Sequence, residues 1–324
     1  MTRTVRIHQT GGPDVLVYEE VPLGDPGAGE VRLRQTAIGL NFIDTYHRSG
    51  LYPLPELPAV LGREAAGVVE TIGPGVTEFE PGDRVAYAMS AGAYAAERII
   101  RADEVVRLPD SIDARQAAAM MLKGLTAHYL LRRTYRVKPG DTILVHAAAG
   151  GVGSILCQWA TWLGATVIGT VGTEEKAALA RAHGCEYPIV YTGESFLDRV
   201  KEITGGKGVP VVYDSVGQAT FHESLDCLAP LGLMVSYGNA SGPVEPLAIA
   251  TLAAKGSLFL TRPTLATYIA RRDDLVRAAS DLFRVVAEGA VRVEVRQTYP
   301  LAEAERAHRD LEARRTTGST VLIP

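Results

Sequence analysis

Cysteine is scarce in this chain, and so are aromatic side chains, at 6%. Only Cys157, Cys185 and Cys227 occur, with no close pair along the sequence. That excludes a disulfide framework and a structural zinc site, which takes about four ligands. A reducing cytoplasm is the expected compartment. No apolar run reaches the roughly 18 residues of a membrane helix, so no membrane role is expected. The opening residues, MTRTVRIHQTGG, hold no apolar export core. Nor is there a basic excess: 33 Lys and Arg meet 37 Asp and Glu, a formal net charge of −4. No nucleic-acid partner is expected from such a balance. No Gly-x-Ser-x-Gly elbow speaks for a hydrolase. The seven histidines form neither a metal spacing nor a triad.

What the chain does have is length and apolar material. Its 324 residues are 47% hydrophobic. At roughly 150 residues per domain, two domains are expected. Residues 1–120 show short alternating stretches broken by GGP, GDPGAGE and FEPGDRV. This pattern predicts a barrel-like or sandwich-like β unit. From Ala114 the character changes. Residues 114–133 predict a helix, with an interruption at Gly124. Strands then alternate with helices: strands over 142–147, 166–171, 188–191, 211–215, 233–237 and 257–260, helices over 152–163, 174–183 and 196–203. Such alternation implies a parallel sheet covered on both faces. The tail from Pro263 predicts two helices and a strand over 320–323, returning to the first domain. The expected division is therefore 1–122 with 263–324, and 123–262.

The strongest local signal is HAAAGGVG, residues 146–153. A buried strand runs into a small-residue turn, and an amphipathic helix opens at once. A pyrophosphate on helix N-terminal amides needs such small residues, because any side chain holds it off. Gly150 and Gly151 permit the approach, Val152 starts the helix, and Gly153 allows tight packing. An NAD site places an acid at the tip of the second strand. Here that strand ends in Gly172 and Thr173, and Lys176 follows in the next helix's first turn. A cation there opposes the helix dipole, and an adenosine 2′-phosphate supplies a reason for it. NADPH is expected over NADH, with Tyr191 against the adenine ribose. The bland alternative is a solvated surface lysine.

These residues also carry a family resemblance along essentially the whole chain. LGREAAGVVETIGPGV (61–76), NFIDTYHRSGLYP (41–53), HAAAGGVG, GTVGTEEK, YDSVG (213–217), SYGNASG (236–242) and RRTTGSTVLIP resemble the medium-chain dehydrogenase/reductase superfamily. Within it they are similar to the zinc-free NADPH:quinone oxidoreductases related to zeta-crystallin. The resemblance implies an α/β chain: a GroES-like β-barrel catalytic domain plus a Rossmann-type doubly wound parallel sheet. Where metal-dependent relatives carry Cys and Gly-His-Glu, this sequence has Asn41 and Gly62-Arg63-Glu64, and Lys123-Gly124 stands in the third ligand region. Asn and Arg do not make a zinc tetrahedron. Without a Lewis acid, an electron-poor acceptor such as a quinone is the natural partner.

The resemblance implies catalytic roles for Asn41, Tyr46 and Tyr52. It implies cofactor contacts from Asn41, Phe42, Asp44, Lys123, Thr126, Tyr129, Ser215, Val216, Gly238, Asn239, Ser241, Arg262 and Arg314, beside the glycine turn, Gly172, Thr173, Lys176 and Tyr191. Asp44 is expected to cap its helix rather than transfer protons, and no residue stands out as a general acid. Glu64 is expected to be a buried structural acid, with Arg63 as its base. Bland alternatives stand beside these: wet-tipped core tyrosines, a turn asparagine, exposed arginines. The expected function is NADPH-dependent quinone reduction without metal or flavin, by a homodimer joined at the strand edge over 257–260. The rivals are an enal or enone reductase and a non-catalytic NADPH-binding, RNA-binding protein.

Overall fold

The structure, a computed structural model, describes residues 1–324. In chain order the first elements are β1 (Thr2–Ile7), β2 (Val17–Val21), β3 (Glu30–Leu40), α1 (Phe42–Ser49), β4 (Ala59–Val60), β5 (Glu64–Ile72), β6 (Arg84–Ala88), β7 (Glu97–Arg101), β8 (Val105–Arg107) and α2 (Ala114–Tyr129). There follow β9 (Thr142–Val145), α3 (Gly151–Trp162), β10 (Thr166–Val171), α4 (Glu174–Ala182), β11 (Tyr187–Val190), α5 (Phe196–Ile203), β12 (Val209–Asp214), α6 (Phe221–Asp226), β13 (Leu228–Ser236), α7 (Ala250–Ala254) and β14 (Phe259–Thr261). The tail holds α8 (Leu265–Tyr268), α9 (Arg272–Ala287), β15 (Val295–Pro300), α10 (Ala304–Glu312) and β16 (Ser319–Ile323). No helix is long and apolar enough to cross a membrane.

The chain forms two units. The first comprises Met1–Leu125, Ile269–Ala287 and Val293–Pro324; the second comprises Thr126–Tyr268 and Glu288–Arg292. In the first unit, a seven-stranded sheet runs β15-β16-β3-β5-β6-β8, with β7 also paired to β3. A smaller sheet, β2-β1-β4, stands beside it. Alternate residues of β3 and β5, among them Val31, Leu33, Ile38, Ala65 and Val69, face inward with Tyr87 and Tyr94. Period-two burial of this kind is what fixes strand register. This is the GroES-like part of the chain.

The second unit is a six-stranded parallel sheet ordered β11-β10-β9-β12-β13-β14. That order is the doubly wound Rossmann arrangement, with its switch point where neighbours β9 and β12 diverge. Leu144, Ile168, Val212 and Met234 supply the core from successive strands. Trp159, on α3, is buried to 1%. α4 stops at Gly184, whose φ of +85° is the left-handed value a helix terminus favours.

Three expectations need correction. α2 is not interrupted at Gly124; the glycine instead admits Leu282 of α9, which a Cβ would meet at 2.5 Å. β15 was not foreseen, because as a sheet-edge strand it carries alternately exposed polar residues and ends in Pro300. Cys157 on α3 donates to Ala148 O at 3.9 Å and Cys185 before β11 to Val167 O at 3.7 Å, and the neighbouring Cys185 together with burial pushes the Cys157 thiol well up. Both are buried and unbridged. Arg63 is not the base of Glu64, as the site below shows.

Candidate active site

In the second unit, β9 ends in buried hydrogen bonds from His146, whose ring bridges Thr170 Oγ1 and Ser224 Oγ at 2.8 Å each. His146 is thus a satisfied core residue. Ala147 then takes φ +53°, and the chain turns into α3 at its N-cap, Gly150. No side chain caps that helix. Its first-turn amides, at Gly151, Val152 and Gly153, lack intrahelical acceptors by geometry. A Cβ on Gly153 would run into the Ala147 carbonyl. The turn is therefore a bare, positively polarised cradle, which fits a pyrophosphate.

The tips of β10 and β11 bring the second group together. Thr173 caps α4, its Oγ1 accepting from Lys176 N at 3.2 Å. Tyr191 places its hydroxyl against Gly172, where a Cβ would sit 3.0 Å away. Gly172, Thr173, Lys176 and Tyr191 thus share one corner of the sheet's carboxyl edge. A third group lies past β12 and β13. Ser241 accepts from Ala219 N at 3.0 Å and donates to Val216 O at 2.8 Å. Gly238 lies so close to Ser215 that a Cβ would strike its carbonyl. Asn239 completes the turn by accepting from Gly242 N at 3.0 Å. Asp214, fully buried, holds this turn by accepting from Val216 N, Gly217 N and Thr220 Oγ1 at 2.7, 3.2 and 3.0 Å. The sequence reasoning missed Asp214 although it stands inside the YDSVG motif. Arg262 donates to Ser236 O at 2.8 Å. Thr126 is buried, and Tyr129 stacks on Tyr268 at 4.3 Å.

In the first unit, Asn41 caps α1 and lies among buried charges. Glu64, 0% exposed, accepts from Leu122 N at 2.8 Å, Asn41 Nδ2 at 2.7 Å and Lys123 Nζ at 3.1 Å. Lys123 is the base of Glu64, not Arg63. Arg63 instead donates to His47 Nε2 and Met89 O, each at 2.9 Å. The carboxylate can only accept, so the amide hydrogens of Asn41 face it and Gly39 O, leaving Oδ1 for a ligand. Phe42, Tyr46 and Tyr52 form an aromatic group: Tyr46 lies 6.4 Å from Phe42 and 5.1 Å from Tyr52, edge to face. Arg314 lies exposed after α10 with φ +58°, while Arg315 pairs with Asp310.

Asp44 does cap α1, its Oδ2 accepting from Asn41 N at 2.9 Å. It does so from a wholly buried position that pushes its carboxyl up to about 7. Tyr94 donates to the same oxygen at 3.1 Å. Behind Tyr94 stand His308 Nε2 at 2.9 Å and, on its other nitrogen, Arg48 at 3.0 Å. No sequence signal joins these residues; Arg48 and His308 alone lie 260 positions apart.

Zinc does not fit this donor set. Asn41 spends its amide on Glu64, and the neighbouring positions carry the Arg63 and Lys123 cations. Nowhere do three His, Cys, Asp or Glu side chains converge.

Comparison with known proteins defines the class. Residues 27–110 match the family described as alcohol dehydrogenase GroES-like domain, and residues 151–282 that described as zinc-binding dehydrogenase. The pairing is that of the medium-chain dehydrogenases and reductases. A quinone oxidoreductase of Pseudomonas aeruginosa is 55% identical over 100% of both chains. The crystal structure of Escherichia coli quinone oxidoreductase complexed with NADPH matches at TM-score 0.98 and 52% identity, covering 99% of this chain and 100% of that one. A 2-haloacrylate reductase from a Burkholderia species is 50% identical over 100% of this chain and 99% of its own. The chain belongs to the quinone oxidoreductase family.

Proposed function

We propose that this chain is an NADPH-dependent quinone reductase that works without metal or flavin. The observation that carries this is its full-length likeness to an NADPH-complexed quinone oxidoreductase, joined to a glycine cradle that fits a pyrophosphate. Bound NADPH supplies the reducing equivalents. Residues 123–262 serve as the Rossmann NADP-binding domain, and 1–122 with 263–324 as the GroES-like catalytic domain. Gly150, Gly151, Val152 and Gly153 take the pyrophosphate. Gly172, Thr173, Lys176 and Tyr191 take the adenosine end, with Lys176 on its 2′-phosphate. Ser215, Val216, Gly238, Asn239, Ser241 and Arg262 line the edge beyond, and Thr126, Tyr129, Phe42, Asp44, Lys123 and Arg314 complete the cofactor set. Asn41 presents an acceptor, which suits a ribose hydroxyl better than a quinone oxygen. Tyr46 and Tyr52 offer flat faces and phenol donors to the acceptor. The protein's share is positioning and the exclusion of water.

The test is a panel of quinones and activated alkenes with NADPH and NADH. Turnover of quinones with NADPH preferred supports the assignment. A 2-haloacrylate or enal reduced far faster than every quinone overturns it, an outcome that the Burkholderia relative makes worth measuring. The cytoplasm is the proposed compartment. A homodimer is proposed at β14, an edge strand whose Phe259 and Leu260 are 60% and 39% exposed.

A further inference from the structure

The reaction proposed above consumes a proton. Quinone, NADPH and one proton give hydroquinone and NADP⁺. Two electrons and one proton come from the cofactor, and two O–H bonds form on the product. The second proton needs a source, and the sequence offered none.

Asp44 has the geometry of one. Two donors converge on Oδ2: Asn41 N at 2.9 Å and the Tyr94 hydroxyl at 3.1 Å. The direction of the Tyr94 bond is fixed from behind. Arg48 can only donate, so His308 Nδ1 accepts from it at 3.0 Å. Burial, then the Arg48 charge, lowers His308 to about 3, so the ring is neutral. Its one hydrogen is therefore on Nε2 and points to the Tyr94 oxygen, 2.9 Å away. The Tyr94 hydrogen is left for Asp44. Arg48 itself is anchored by Glu312 at 2.6 Å and Gly11 O at 3.2 Å. Oδ2 is thus committed as an acceptor. Oδ1 is buried and has no hydrogen-bond partner. A bare anionic oxygen there costs more than a neutral, protonated one.

We propose that Asp44 stores, on Oδ1, the proton that quinone reduction consumes, and hands it on through intervening water. The proposal rests on the quinone-reductase assignment. In the step, the Oδ1–H bond of Asp44 breaks and an O–H bond forms on the reduced quinone, relayed by water. The carboxylate left behind is reprotonated from solvent. Because Asp44 is 0% exposed, it touches no acceptor and acts through that relay. The charged groups around it do not reverse the argument. Arg63 and Lys123 both favour the ionised form, as do the bonds from Asn41 and Tyr94, yet burial outweighs them. His308 bonds Tyr94 and Glu64 bonds Lys123, and neither they nor Arg48 bonds Asp44 directly.

Two measurements test this. Infrared spectra of the protein without cofactor, from pH 5 to pH 9, are expected to show a carboxylic-acid carbonyl band that disappears as pH rises and is missing in Asp44→Asn. No such band at pH 6, or the same band in the variant, overturns the stored proton. Removing the Tyr94 donor with Tyr94→Phe is expected to move the band's midpoint to higher pH; an unmoved or lowered midpoint overturns the converging-donor argument, and this arm stands if Asp44→Asn fails to fold. In turnover, Asp44→Asn is expected to lower kcat about 100-fold and abolish the fall of rate with rising pH. An unaltered kcat and pH profile overturns the role in catalysis. A wild type that shows the band but reduces no quinone sinks the reductase assignment and the proton's destination, while the buried acid stands.

Discussion

Lys123 Nζ lies 3.1 Å from Glu64 Oε2 in a pair sealed from solvent on both sides. The pair ties the start of β5 to the middle of α2, and through Asn41 to the cap of α1. Removing one partner of a buried pair leaves a charge without compensation, at about 3–5 kcal/mol. Lys123→Met is expected to lose that much stability in urea unfolding. The double variant Glu64→Gln with Lys123→Met is expected to recover part of it. Losses of Glu64→Gln and Lys123→Met that simply add in the double variant would show that the pair is not coupled.

Lys176 stands in the first turn of α4, beside Glu174 and Glu175. If it holds a 2′-phosphate, Lys176→Ala weakens NADPH but barely touches NADH. Hydrogen bonds to charged groups contribute about 1.5–3 kcal/mol, or roughly 10- to 100-fold in affinity. Calorimetric titration with both cofactors checks this. An equal loss for both contradicts the assignment.

The buried titratable groups of the first unit pull stability in opposite directions with pH. His308 is lowered to about 3, and His47, by burial and then Arg63, to about 4. From pH 7 to 5 the unfolded histidines take up protons that the folded ones refuse, so stability falls, by about 2 kcal/mol for His308. Asp44, raised to about 7, takes up its proton in the folded state first, so over the same window it adds a similar amount on acidification. The wild type is expected to lose about 1–2 kcal/mol from pH 7 to 5, because His308 and His47 together outweigh Asp44. Asp44→Asn is expected to become more acid-sensitive, and His308→Gln to be nearly flat, as His47 and Asp44 then offset each other. Urea melts at three pH values decide between these slopes.

The exposed apolar edge of β14 makes the oligomer testable. Phe259→Asp places a charge on the strand that is proposed to pair with a second copy. Light scattering is expected to find the wild type dimeric and this variant monomeric. A monomeric wild type removes the proposal.

Much of the second unit was legible because its signals are local. Gly150, Gly151 and Gly153 follow a buried strand directly, and the ends of β10, β12 and β13 carry short motifs. Period and turn chemistry suffice there. In the first unit, position within a motif named Asn41 and Glu64 but misassigned the base. Arg63 is adjacent in sequence, yet successive residues of a strand point to opposite faces. Lys123 comes from α2, 59 positions away. The Arg48–His308–Tyr94–Asp44 chain was invisible for the same reason, since it joins α1, a loop and α10. β15 escaped notice because an edge strand need not be apolar.

The placement of β16 has a consequence for how the molecule is made. It lies between β15 and β3, with Val321 and Leu322 fully buried, yet it follows the whole second unit in chain order. As the nascent polypeptide leaves the ribosome, the nucleotide unit is complete while the barrel sheet still lacks an interior member. Its β3 edge stays unzipped until that late segment arrives. A frameshift just ahead of Ser319 would therefore spoil the half of the protein that was synthesised first.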